Sequence, residues 1–142
     1  MQNTGRIEMA DALAAFAHRG QVDKAGQPYI QHPRTVASRV TGEDEKIVAL
    51  LHDVLEDTDV AEDTIRNLFG DKIADAVAAL THREDEDYFS YVARVAKNPL
   101  ARIVKLADLE HNMDLSRLPK VTEKDLRRVE KYSRARRILM AA

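Results

Sequence analysis

The chain has 142 residues, 22 of them basic and 24 acidic, for a net charge of −2, and it contains no cysteine. That length fits one compact domain with a sizeable core, residues 1–142 as a single unit, and is too short for two catalytic domains. The near-balanced charge gives no electrostatic case for broad nucleic-acid or membrane binding, and the missing cysteines exclude disulfides and zinc–thiolate sites.

Helical periodicity runs through almost the whole chain with no competing strand alternation, so an all-α bundle of about eight helices is predicted. Met1 to Arg6 lacks the apolar core of a signal peptide, and no apolar run is long enough to span a bilayer, so a cytoplasmic protein is expected. Ile7, Ala10, Leu13, Ala14 and Ala17 mark a first amphipathic helix that ends near Gly20. Gln21 to Gln31 reads as a loop punctuated by Gly26 and Pro28. His32-Pro33 opens a second helix, with proline at a tolerated first-turn position, and Thr41-Gly42 breaks it after about Val40. One helix is predicted from Glu43 to Asp57, then shorter ones over Glu62–Phe69 and Asp71–Leu80, with Gly70 between them. Thr81 to Asp87 is a charged connector, followed by a helix from Tyr88 to Ala96. Asn98-Pro99 starts a long helix through about Leu115. Thr122 and Asp125 are spaced like a capping pair at the head of the last helix, which runs to about Leu139.

The chemistry concentrates in Leu50-Leu51-His52-Asp53-Val54-Leu55-Glu56-Asp57. On a helix, residues four apart share a face, which sets His52 over Glu56 and Asp53 over Asp57. So much polarity beside an apolar stripe needs a partner, and imidazole and carboxylate ligate divalent metals directly. One helix cannot surround an ion. Here three segments offer ligands: His32, the pair His52 and Asp53, and Asp108, which is embedded in the apolar run Val104-Lys105-Leu106-Ala107-Asp108. Two imidazoles and two carboxylates, with positions open to water, suit Mn²⁺, Fe²⁺ or Co²⁺ better than a closed zinc site.

Three blocks carry a family resemblance. Ala17 to Pro33, Leu51 to Thr58, and Val104 to Asp108 with His111-Asn112-Met113 resemble, in order and at similar spacing, the blocks of the HD-domain alarmone hydrolases. These are the (p)ppGpp 3′-pyrophosphohydrolases, which include the hydrolase half of Rel/SpoT proteins and small stand-alone enzymes. The resemblance implies an all-α fold, a bound Mn²⁺ and a nucleotide substrate. It implies His32, His52, Asp53 and Asp108 as metal ligands, and Glu56 and Asp57 as the groups that activate and orient the attacking water. Asn112 is similar to the residue that contacts the sugar, and Lys24 and Tyr29 to residues of a substrate-side loop. The chain departs from the family at Asp23, where an arginine that packs on the guanine base is usual, and at Leu109-Glu110, commonly Arg-Leu. An acidic residue supplies no planar cation and repels phosphates.

Plainer roles stand beside these. His52 and Asp53 would also serve as a buried hydrogen-bonded pair, Glu56-Asp57 as a solvated helix end, and Asp108 as the buried salt-bridge partner of Lys105. His18 and His111 fit packing or hydrogen bonding, Tyr29 core packing under its loop, and Lys24, His82 and Arg83 solvation. The basic last helix (Arg127, Arg128, Lys131, Arg134, Arg136, Arg137) is interrupted by Glu123, Asp125 and Glu130, as in a solvated face or a contact between subunits of a homo-oligomer. For the whole chain the expected activity is metal-dependent hydrolysis of a phosphorylated nucleotide, the alarmone 3′-pyrophosphate foremost. The alternatives are a nucleotide phosphatase or pyrophosphatase of different base or sugar preference, and a non-catalytic nucleotide-binding regulatory domain.

Overall fold

The computed structural model describes residues 4–142, apart from the side chains of Thr4 and Arg117. Met1 to Asn3, the start of the segment considered for a signal peptide, lie outside the described residues. The described chain is all-α: α1 (Thr4–Ala17), α2 (Gln31–Ser38), α3 (Glu43–Leu51), α4 (Val54–Asp57), α5 (Glu62–Phe69), α6 (Asp71–Ala79), α7 (Tyr88–Ala96), α8 (Pro99–Asn112) and α9 (Glu123–Ala141), with a 3-10 turn at Leu115–Arg117. Among these residues the only β-type pairing is an isolated bridge between Val22 and Pro28.

α3 is the axis of the bundle. Its five consecutive residues Ile47 to Leu51 are all buried, and a helix apolar all round must be surrounded. It packs against α1, α2, α6 and α8. Glu43, Asp44 and Glu45 sit in its first turn, where carboxylates complement the helix dipole. α8 lies across α2, α3, α6, α7 and α9. Its start is fixed as the sequence implies: the Asn98 side chain accepts from the Ala101 N–H at 3.0 Å, with Pro99 in the first turn. α5 and α6 form a hairpin about Gly70, whose φ of +94° suits glycine.

Three predicted boundaries are corrected. The single helix expected over Glu43–Asp57 is two, α3 and α4, separated at His52-Asp53. The cause is local. His52 Nδ1 lies 2.6 Å from the Ala49 carbonyl, the acceptor that a continuous helix would offer to the Asp53 N–H. A side chain that takes a backbone acceptor competes with the ladder, and Asp53 settles at φ −107°, ψ 0°. α8 stops at Asn112 instead of about Leu115, because Asp114 accepts from the Ser116 N–H and starts the 3-10 turn. α2 stops at Ser38, and Lys46 Nζ satisfies the Ala37 and Val40 carbonyls at 3.0 and 2.8 Å.

Candidate metal centre

The break at His52-Asp53 is what aims the centre. With Nδ1 donating to Ala49, His52 directs Nε2 inward, and that nitrogen is buried with no hydrogen-bond partner. α2 brings His32 and α8 brings Asp108. His32, His52 and Asp53 each offer one ligand atom within 4.8 Å of the others. Asp108 Oδ1 lies 2.7 Å from His32 Nε2 and 3.3 Å from His52 Nε2, and Asp53 Oδ2 lies 3.1 Å from His52 Nε2. His32, His52 and Asp108 are at most 5% exposed. The four residues drawn from separate segments of the sequence therefore share one buried cluster.

Each of the four also has a partner behind it. Tyr29 donates its hydroxyl to Asp53 Oδ2. His32 Nδ1 lies 2.7 Å from His111 Nδ1, and the two rings stack. Asp108 Oδ2 accepts from Lys105 Nζ at 2.9 Å, and its Oδ1 from Asn112 at 3.1 Å. Such outer contacts fix ring tautomer and carboxylate orientation around metal ions. The electrostatics point the same way. Burial opposes a charged His52, yet Asp53 and Asp108 raise its pKa well above the ordinary imidazole value. Burial likewise opposes ionisation of Asp108, yet Lys105 and the imidazoles hold it well below the carboxylate range. The cluster thus favours positive charge at His52 Nε2, between the Asp53 and Asp108 carboxylates, a demand that a divalent cation meets with this N/O donor set.

Glu56 and Asp57, on α4, are exposed to solvent. Glu56 Oε1 accepts from the His82 backbone N–H at 2.8 Å, so the charged connector anchors it. Burial first, then the charges of Asp53 and Glu56, push the Asp57 carboxyl up, while His18 and His52 pull it down. His18 is buried, with Nδ1 2.9 Å from Gln21 Oε1 and its ring against Tyr29.

A cavity of about 420 Å³ opens beside the cluster, lined in part by Lys24, Tyr29, His32, Asn112, Arg128 and Tyr132. That is within the roughly 300–1,000 Å³ of small-molecule sites. The three residues expected to meet substrate, Lys24, Tyr29 and Asn112, all line it. Arg128 and Tyr132 were not singled out from the sequence as site residues. They lie one turn apart on α9, in a pattern that any amphipathic basic helix shows. The only available signal was an arginine and an aromatic at i, i+4. Asp23 also lines the cavity, and its Oδ1 accepts from the Ala25 and Gln27 N–H groups at 2.9 and 3.0 Å. Its carboxylate therefore shapes the loop that carries Lys24. The second departure is structural: Leu109 is fully buried, and Glu110 faces outward 3.7 Å from Arg136.

An all-α bundle that turns two histidines and two aspartates toward one buried point, with a cleft beside it, defines the class: helical proteins suited to a divalent cation next to a small ligand. The chain belongs to the HD-domain family, whose profile matches residues 10–142. It is 33% identical to a GTP pyrophosphokinase of Myxococcus xanthus over 75% of this chain and 16% of that protein. It is 34% identical to the guanosine-3′,5′-bis(diphosphate) 3′-pyrophosphohydrolase of Aquifex aeolicus over 79% of this chain and 18% of that one. The chain thus spans less than a fifth of these relatives' length. A solved structure, described as a metazoan ortholog of SpoT that hydrolyzes ppGpp, superposes with a TM-score of 0.81 at 26% identity, over 98% of this chain and 88% of that one. Among the described residues no helix is long and apolar enough to cross a membrane.

Proposed function

We propose that the chain is a metal-dependent phosphohydrolase that removes pyrophosphate from the ribose 3′ position of a guanosine bis-diphosphate. The observation that carries the reading is the orphaned, buried Nε2 of His52 among His32, Asp53 and Asp108, beside a cavity that holds cationic side chains. The named activities of the relatives support it.

His32, His52, Asp53 and Asp108 would hold the cation, and we assign Mn²⁺ from the mixed N/O donors. When bound, the ion supplies Lewis acidity, which acidifies water and offsets charge on a phosphoryl oxygen. Hydrolysis joins a water oxygen to phosphorus and breaks the bond from phosphorus to the 3′ oxygen; the proton that the water gives up is balanced by one delivered to that 3′ oxygen, so pyrophosphate and a 3′-hydroxyl nucleotide leave. Glu56 is the acceptor for the water's proton, and the His82 N–H sets its direction. Asp57 orients the same water, and burial together with the charges of Asp53 and Glu56 raises its carboxyl pKa. Lys24 and Arg128 meet phosphate charge from the two walls of the cavity, and burial and Arg128 together lower the Lys24 pKa. Asn112 both holds Asp108 and faces the cavity, where a sugar hydroxyl would bind.

Asp23 favours a second reading, in which the base differs from guanine, because no arginine of this loop is present to stack on it. A panel of 3′-phosphorylated and 3′-pyrophosphorylated nucleotides with different bases, incubated with the protein and Mn²⁺, separates the two. Pyrophosphate release greatest from the guanosine substrate is expected. Glu56→Gln should lower kcat by about 10²–10⁴ while keeping metal uptake. Binding of the panel without turnover would replace the enzyme with a nucleotide-binding regulatory domain.

A further inference from the structure

Asp108 is gripped on both oxygens, and the grip on the outer one has an odd donor. Oδ1 faces His32, His52 and Asn112. Oδ2 is held by Lys105 Nζ, one turn back on α8, at 2.9 Å. The Lys105 side chain is only 12% exposed. Its ammonium lies 5.2 Å from the centroid of the Tyr91 ring, and Tyr91 is itself fixed by its hydroxyl to the Leu80 carbonyl at 2.7 Å. The direction of Nζ is therefore set on two sides. A buried ammonium is costly, and a positive charge a few ångströms from a dication repels it. That repulsion opposes cation binding, so what Lys105 offers the centre is the hydrogen bond to Oδ2 rather than its charge.

We propose that Lys105 is a positioning residue for the metal centre. It pins Oδ2 of Asp108, so that the carboxylate would present Oδ1, the oxygen that faces His32 and His52, to the cation. The inference rests on the metal-centre reading given above. Positioning and simple electrostatics predict opposite signs. If orientation dominates, removing the ammonium weakens metal binding. If charge dominates, removing it tightens binding.

The test is calorimetric titration of Mn²⁺ into metal-free wild type, Lys105→Met and Lys105→Gln. It is paired with visible spectra of the Co²⁺-loaded proteins and thermal unfolding of each protein without metal. Lys105→Met is expected to lose about tenfold to a hundredfold in affinity and to shift the Co²⁺ ligand-field bands. A role confined to fold stability would move the metal-free Tm and leave those bands alone. Lys105→Gln, which keeps an N–H donor without the charge, is expected to stay within a few-fold of wild type with wild-type bands. Met and Gln variants that bind as tightly as wild type or tighter, with unchanged bands, overturn the proposal. If the Met variant does not fold, the Gln variant decides it, since tenfold tighter binding there means charge dominates. Wild type that takes up no Mn²⁺, or Asp108→Ala that takes up as much as wild type, removes the metal-centre reading itself.

Discussion

Tyr29 illustrates how one residue serves two surfaces. It lines the cavity and donates its hydroxyl to Asp53. Burial first, and then the Asp53 charge, hold the phenol protonated far above its ordinary range, so it remains a donor at any working pH. Tyr29→Phe keeps the ring and deletes the bond. The expected outcome is a loss of about tenfold in Mn²⁺ affinity with KM, measured at saturating metal, nearly unchanged. A raised KM with wild-type metal affinity would instead make Tyr29 a substrate contact, the role implied by resemblance alone. His111 is the parallel case on α8: its contact with His32 Nδ1 leaves His32 Nε2 for the centre.

Among the elements, α9 and the connector before α7 reach the site from outside the three blocks that carry the family resemblance. α9 begins in a full capping box, with Thr122 accepting from the Asp125 N–H and Asp125 accepting from the Thr122 N–H. Thr122→Ala should cost about 0.5–2 kcal/mol of stability, read by urea unfolding. Fraying of that turn also loosens Arg128, which is tied to Asp125 at 2.9 Å, so KM should rise more than kcat falls. The connector is pinned by Glu86, whose carboxylate grips Arg94 at 2.8 Å. Arg94 in turn bonds the Ala79 and Thr81 carbonyls. The Arg94 hydrogen bond holds the Glu86 pKa at about 2, against an ordinary 4.5. The unfolded chain takes up this proton first as pH falls. The contribution is therefore complete above about pH 4.5 and is lost as pH drops toward 2. Glu86→Gln should remove that part of the acid-side loss, seen in Tm measured across this window.

These elements also show where sequence was informative. The bounds of α5 and α7, the Asn98 and Thr122 caps and the metal-type quartet follow from local periodicity, cap chemistry and residue type, all written in short windows. The break between α3 and α4 does not, because it depends on His52 choosing the Ala49 carbonyl over solvent or another acceptor. Nor does the turn of Asp23 into its own loop, or the approach of Arg128 to Lys24. The two residues are about a hundred positions apart and line one cavity only once α9 has packed on α7 and α8. The Lys105–Asp108 pair, read from the sequence as an alternative to a metal ligand, is present together with the imidazole contacts, because a carboxylate has two oxygens to give.

For the whole molecule, the cluster ties α2, the α3–α4 break and α8 into one point, so the cation should act as a staple as well as a reagent. A ligand that binds only the folded state stabilises it by RT ln(1 + [L]/Kd), about 2.7 kcal/mol at a hundredfold excess over Kd. For a chain of this size that corresponds to a rise in Tm of roughly 5–10 °C, at a few degrees per kcal/mol. Without the ion, His52 Nε2 has only the Asp53 and Asp108 carboxylates, at 3.1 and 3.3 Å, with no hydrogen bond between them. The helices that carry them then lose a shared reason to stay in register. Thermal unfolding with Mn²⁺ and after chelation should show this rise in wild type and its disappearance in Asp108→Ala. Glu56→Gln should keep the full rise, because Glu56 is anchored by the His82 N–H rather than by the cluster. Equal Tm with and without metal in the wild type would mean that these four side chains meet as an ordinary buried network, and the proposed chemistry would lose its centre.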